Sequence, residues 1–407
     1  MSRGIASARV TLPATREVIH READTRRDVA AGELRGEMVG REVLPTLLPA
    51  WHDLCGRSVE DNVYYAPKYA QALLNSVEAD RDVRFATVWD ETRLVALLPI
   101  VRSRFAIPMV QPRGKAWQSK YTFSCMPLLD RICKLEAAEA LVEVLAGAGQ
   151  DEWILPTINI RGEASRMFVL ALEKRGAPWA LANYFARAVL DKDCSYEEHI
   201  KRHVSSNRRK SLGRNRRRLE ELGSLKHHGS MAGEDLTHAV CAFLKLEAGG
   251  WKGKRGTALA CDERTRAFAM DAFSGKADNP ICRADVLTLD DKPIAVSLIA
   301  LLGNTGFAVK SAYDEAYRTY SPGLLLELEV VRSFLSGNWA LRLDGATAGA
   351  HAIDELWSGH VEVADLIFSL SPGRAAALRL RTVQRIDRLQ RTIRSTAGQL
   401  IKRLVRS

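Results

Sequence analysis

The stretch Gly306–Leu335, GFAVKSAYDEAYRTYSPGLLLELEVVRSFL, decides how the rest of the chain is read. Its first residues read as a strand running into Lys310, and a loop of polar and aromatic residues follows. Ser321-Pro322-Gly323 then opens a helix with an apolar face at Leu324, Leu325, Leu328 and Val331. The first turn of a helix leaves backbone N–H groups unpaired, and the helix dipole adds partial positive charge there. A strand–loop–helix start of this kind is a ready cradle for a pyrophosphate. Gly323 allows close backbone approach and Arg318 adds a cation. A plain Ser-Pro-Gly helix cap uses the same letters, so both readings stand on these residues alone.

Working outward, the elements on either side repeat one grammar. Arg283–Leu289 and Ile294–Leu302 read as paired strands about the turn Asp290-Asp291-Lys292-Pro293. Phe85–Trp89 and Leu94–Val101 do the same about Asp90-Glu91-Thr92. The parallel between VWDETRLVALLPIV and LTLDDKPIAVSLIA, in halves of equal size, points to an internal structural repeat. Helices are expected over 45–55, with Trp51 and Leu54 inward, and over 135–146, 236–249 and 261–273. A further helix ends at a C-cap Gly176, and the basic run 196–222 reads as one long helix stopped by Gly223. Short strands are expected at 186–190, 340–344 and 361–369. The expected class is α/β with mixed sheets. The expected division is a flexible leader over 1–35, a first lobe over 36–192, a second over 193–370 and a basic amphipathic helix over 371–407.

Composition limits the function classes. The chain has 407 residues, 46% of them hydrophobic and 27% charged, which fits folded domains rather than wholesale disorder. No apolar run is long enough to span a membrane, and the first residues lack the apolar region of a secretory signal. The seven cysteines are scattered with no CxxC, which speaks for reduced thiols rather than a disulfide framework or zinc ribbon. The formal charge of +10 is concentrated. Residues 199–219 carry nine Lys/Arg and no acid, and residues 372–407 carry ten against Asp387. The remainder is acidic, so the overall charge is no argument for a nucleic-acid-binding fold, and nucleic acid is not an expected partner. The run Arg208–Arg218 has no interleaved aromatics for base stacking. It reads as a solvated helix face or as a phosphate-binding one. In the tail, Val383, Ile386, Leu389 and Ile393 oppose arginines. That pattern fits packing on the body or an anionic membrane surface. The motifs HExxH, GxSxG, GxGxxG and the P-loop are absent, and no Cys/His spacing suggests a metal.

The loop Arg318-Thr319-Tyr320-Ser321-Pro322-Gly323 resembles the [QR]-x-x-G-x-[GA] loop by which GNAT-fold acyltransferases hold coenzyme A, with Ser321 replacing the first glycine. The chain more specifically resembles the CelD/BcsL acetyltransferases of cellulose biosynthesis, which have tandem GNAT-like lobes related to FemAB peptidyltransferases. The pieces that carry this resemblance fall in order. They are Trp51-His52-Asp53-Leu54, Tyr65-Ala66-Pro67, Leu97-Leu98-Pro99-Ile100, SSNRRKSLGRNRRRLEELG, Glu247 with Trp251-Lys252-Gly253, Gly256-Thr257-Ala258, Lys310-Ser311-Ala312-Tyr313-Asp314 and the Ser-Pro-Gly helix. In the family a D-x-x-x-G segment precedes a Tyr-Lys pair and a tryptophan. Here Asp344 to Gly349 leads to Ala350-His351 and Trp357, and the lysine is missing.

The resemblance implies tandem GNAT-like lobes and an acyltransferase of the cytoplasm, or of the inner membrane face. It would move an acetyl or other acyl group from acyl-CoA to an amine or hydroxyl of a small molecule or glycan, without a metal. A FemAB-like transfer from aminoacyl-tRNA, or a non-catalytic scaffold at a membrane, are the alternatives. Lys310, Arg318, Tyr320, Ser321, Gly323 and Leu324 are the expected coenzyme-binding residues, and Trp251, Lys252 and Tyr313 the expected acceptor-binding ones. Trp251 could equally be a core anchor. Glu247, Asp314 and Asp344 are the expected catalytic carboxylates, with His351 a further candidate base. Asp314 and Asp344 could instead cap their own turns.

Overall fold

The computed structural model describes residues 34–102, 113–275, 281–347 and 352–371, with scattered positions from 373 to 385. The first half runs β1 (Arg35–Val39), α1 (Leu44–Arg57), α2 (Pro67–Leu74), β2 (Val83–Asp90), β3 (Arg93–Arg102), β4 (Gly114–Ala116), β5 (Leu128–Leu129), α3 (Lys134–Gly147), β6 (Glu152–Asn159), α4 (Glu163–Lys174) and β7 (Trp179–Asp191). The second runs α5 (Tyr196–His203), α6 (Ser206–Glu220), β8 (Leu225–Ser230), α7 (Gly233–Gly249), α8 (Trp251–Lys254), α9 (Glu263–Phe273), β9 (Ile281–Leu289), β10 (Lys292–Leu302), β11 (Thr305–Tyr313), α10 (Pro322–Ser336), β12 (Arg342–Asp344) and β13 (Gly359–Ser369).

All strands join one mixed sheet in the order β1-β2-β3-β4-β6-β13-β7-β12-β11-β10-β9-β8, with β5 beside β3. Read from its two edges, the sheet is the same object twice. From one edge, β1, β2, β3 and β4 pair antiparallel, β4 and β6 parallel, and β6 and β13 antiparallel. From the other, β8, β9, β10 and β11 pair antiparallel, β11 and β12 parallel, and β12 and β7 antiparallel. The internal repeat is therefore present at the level of strand order and sense. Each half lends its last strand to the other: β7 closes the second set, β13 closes the first, and the two pair across the middle. The two acidic hairpin turns sit at matching places. In the second, Asp290 and Asp291 both adopt positive φ, as a two-residue type I′ turn requires.

Apolar alternation explains where the core lies. A large cluster gathers Trp51, Trp117, Trp153, Phe268 and Phe273 among its members, and a second gathers Leu325, Val331, Phe334 and Trp357 between α10, α5, α6 and the sheet. Trp117 and Trp153 are fully buried. A Cβ on Gly114 would lie 2.4 Å from the Trp153 ring, so glycine is what lets the indole cross β4.

Two expectations need correction. The basic run is two helices. Val204 turns its side chain into the core, its backbone is extended, and Ser205 caps α6 by accepting the Arg208 N–H at 3.2 Å. Nor is that run a purely solvated face. Leu212 and Leu219 are buried, Arg216 pairs with Glu220 and Glu329, and Arg208 pairs with Glu355. The strand β8, with Leu225 its one large apolar residue, has no alternating apolar pattern to announce it and forms because β9 offers it an edge. The leader lies outside the described residues up to 33, and Arg35 already opens β1. Of the tail, Ala376 and Leu380 are buried, Leu380 against Ala180, Ala182 and Ile367. Its amphipathic remainder, residues 386–407, lies outside the described residues. No described helix is long and apolar enough to cross a membrane.

Candidate functional site

The strands β11 and β12 run together for three residues only, Thr305 to Phe307 against Arg342 to Asp344. Beyond Phe307 they part. β11 bulges at the same place: opposite Leu298 and Ile299 of β10, Lys310 pairs with Leu298 and Ala308 with Ile299, leaving Val309 as the extra residue. The gap opens into a cavity of about 560 Å³ between the backbone of Ala308 to Tyr313, the residues after β12, and the first turn of α10. That volume suits a small-molecule site.

At one end stands the start of α10. Ser321 holds φ +56° and ψ +52°, a left-handed conformation, and Pro322 takes the first helical position. Ser321 thus adopts a conformation that glycine takes without steric cost. Gly323 lies in the first turn, where a Cβ would meet only Tyr313 at 3.5 Å. Arg318, Ser321, Gly323, Leu324 and Tyr313 line the cavity together. Tyr320 does not. Its ring turns away and carries the Arg218 guanidinium 5.4 Å from its centroid.

At the other end stand α7 and α8. Glu247 is buried on α7; one oxygen accepts from Lys252 at 2.8 Å and the other from the Leu259 N–H at 2.8 Å. Trp251 is half-exposed at the mouth, so it is no core anchor. Its backbone N–H donates to the Glu315 carboxylate at 2.6 Å, which ties α8 across the opening to the loop after β11. Lys310 points to this end, its amine 4.8 Å from the Tyr121 ring centroid. Burial, helped by Lys252, lowers its pKa to about 8.

Asp314 and Asp344 are not among the cavity-lining residues. Asp314 accepts the Ala316 N–H at 3.0 Å and so caps its own turn. Asp344 accepts the Ala346 N–H at 2.7 Å and lies 3.5 Å from Arg187. His351 lies outside the described residues.

A carboxylate that sequence reading passed over does line the cavity. Glu327 stands on α10, one turn beyond Gly323, is 7% exposed and accepts the Trp357 indole N–H at 2.8 Å. Burial pushes its pKa up to about 7. Its signal was a charge in the apolar run Leu324–Val331, on the helix face that turns inward. No group of described residues could hold a metal ion.

Residues 206–337, from α6 to the end of α10, match the acetyltransferase (GNAT) domain family. No curated protein matches the chain. Among solved structures, FemX superposes with a TM-score of 0.52 at 10% identity, covering 79% of this chain and 95% of its own. A conserved protein of unknown function from Bacteroides thetaiotaomicron superposes at 0.51 and 10% identity, covering 82% and 99%. The C-terminal domain assigned to a lysylphosphatidylglycerol synthetase of Agrobacterium fabrum superposes at 0.50 and 13%, covering 83% and 95%. At such identities the likeness is one of fold. The chain is a tandem GNAT-like α/β protein whose second half, holding the open strand pair, carries the similarity to the GNAT acetyltransferase domain.

Proposed function

We propose that the protein is an acyl-CoA-dependent acyltransferase whose site lies between β11 and β12. The observation that carries this reading is the conjunction of a parted parallel strand pair with a helix start that has Ser321 left-handed, Gly323 in the first turn and Arg318 beside it. The first-turn N–H groups of α10 and Arg318 would hold a pyrophosphate. The edge of β11 from Ala308 to Tyr313, without a partner strand on that side among the described residues, would hold an extended polar chain by backbone hydrogen bonds. An acyl-CoA supplies an already activated acyl carbon, so the protein needs only to align the acceptor and take up its proton.

For that proton we propose Glu327. A carboxyl with a pKa near neutrality, facing the cavity, is suited to general-base work. Glu247 has both oxygens engaged and serves as a positioning residue that holds Lys252 and the 252–259 loop. The first half frames the acceptor side through Tyr121, which lies against Lys310. We further propose, on the resemblance of the ordered motifs to CelD/BcsL proteins, an acceptor from polysaccharide or cell-envelope chemistry.

Titration calorimetry with CoA tests the reading. The wild-type chain is expected to bind, and Gly323→Trp, which fills the first turn, to lose at least a hundredfold in affinity while its melting temperature stays within a few degrees. Equal affinity in the two would remove the α10 start from the site. Binding of tRNA in place of CoA, weakened steeply by salt, would shift the reading to aminoacyl transfer.

A further inference from the structure

Next to the first cavity lies a second, of about 280 Å³, whose wall includes Lys120, Tyr121, Thr257, Asp262 and Arg264. The Tyr121 ring belongs to its lining and is also the surface on which Lys310 of the first cavity rests. Lys310, which lines the first cavity, and Tyr121, which lines the second, are therefore in contact with one another. That ring is fixed, stacked on Phe268 with centroids 4.9 Å apart and planes 18° apart. Lys120 lies 4.9 Å from its centroid.

The charges around this wall do not cancel. The Glu247 carboxylate is taken by Lys252 and the Leu259 N–H. Asp262 accepts the Thr265 N–H at 3.0 Å as the cap of α9, and Arg264 is paired with Asp80 at 2.6 Å. Lys310 and Lys120 have no carboxylate within ion-pair distance among the described residues; Lys310 lies 4.8 Å from the Tyr121 ring centroid, and Lys120 hydrogen-bonds the Tyr121 hydroxyl. Two ammonium groups directed at one ring, between two cavities, leave an excess of positive charge that a bound anion would neutralise. For Lys310, which is partly buried, an aromatic face returns little of the cost of desolvation.

From this we infer that the second cavity and the Lys310–Tyr121–Lys120 wall recognise the anionic group, a carboxylate or phosphate, of the acyl acceptor, whose nucleophilic end then lies in the first cavity beside Trp251 and Lys252. This gives the proposed transferase a substrate class, an acidic amine or alcohol, and it rests on that reading for the word acceptor. The depressed pKa of Lys310 agrees with an amine that lacks its counter-ion in the free protein.

Competitive acetic anhydride labelling of Lys310 at pH 8, read by mass spectrometry, tests the anion site without CoA. The probes are O-phosphoethanolamine, β-alanine and ethanolamine, each up to 50 mM. Protection of at least fivefold by either acidic probe and none by ethanolamine is expected; the acidic probe that protects identifies phosphate or carboxylate. Lys120→Met, at an exposed position and checked by its melting temperature, should weaken that protection at least tenfold in concentration. Equal protection by all three probes, no protection by any, or full anion protection in Lys120→Met would overturn the inference. A chain that shows anion protection yet binds no CoA would keep the anion site and overturn the transferase reading instead.

Discussion

Ser321 shows how one residue can depart from a motif and keep its geometry. Its left-handed backbone costs a non-glycine residue about 1–2 kcal/mol, part of which glycine would lose again through its freer unfolded chain. Ser321→Gly is therefore expected to raise unfolding free energy by about 1 kcal/mol or less in urea titration, and to leave CoA affinity within threefold. Glu327 carries the stronger consequence. Its pKa is raised from 4.5 to about 7, so the folded protein binds more protons than the unfolded chain between those values. Stability contributed by the neutral carboxyl is present below about pH 4.5 and is lost as pH rises through 7, by about 3 kcal/mol in the limit. Glu327→Gln should flatten that slope in urea titrations between pH 5 and 8. If Glu327 is the base, turnover in the wild-type protein rises with pH through a midpoint near 7, and the variant loses at least a hundredfold in kcat with CoA binding intact.

At the scale of elements, the loop after α7 is the piece most sensitive to a small change. A Cβ on Gly253 would lie 1.7 Å from the Ala248 carbonyl oxygen, and the obstacle is backbone. Gly253→Ala should displace α8 and break the Lys252–Glu247 pair, costing about 1–3 kcal/mol in stability. Steady-state kinetics should show a raised KM for the acceptor with an unchanged KM for acyl-CoA. The regular elements near this loop were legible. The 3.6 period of 236–249 and 261–273 and the β9–β10 hairpin are written in apolar spacing and turn residues, as is the Ser-Pro-Gly start of α10. What stayed hidden depends on neighbours. The break at Val204–Ser205 arises because a valine in a basic run finds a core to enter. β8 exists because β9 has a free edge, and α8 is a single turn held from outside by Glu315. The cavity set was half visible. Lys310, Arg318, Gly323, Trp251 and Lys252 meet as the motif order suggested. Glu327 is silent until the α10 face that turns inward is known, and Tyr121 contributes from the other half of the chain.

For the whole molecule, the exchange of β7 and β13 makes the two halves one folding unit. β13 pairs along its length with β6 on one side and β7 on the other, and Leu366 and Phe368 are fully buried there. A chain ending before Gly359 would expose both neighbours, so it is expected to lose cooperative thermal unfolding. A chain ending at Ser371 keeps every strand and is expected to retain that transition; circular dichroism on heating distinguishes the two. The first half lends its last strand, β7, to pair with β12, beside which β11 parts beyond Phe307.

Thermal denaturation of the full chain with CoA, acetyl-CoA and longer acyl-CoAs tests the central claim most directly, that the gap between β11 and β12 is a coenzyme A site. A ligand at a hundred times its dissociation constant adds about 2.7 kcal/mol, so an upward shift of several degrees is expected in the wild-type protein and none in Gly323→Trp. An unchanged midpoint with every acyl-CoA, or equal shifts in both proteins, would contradict the account.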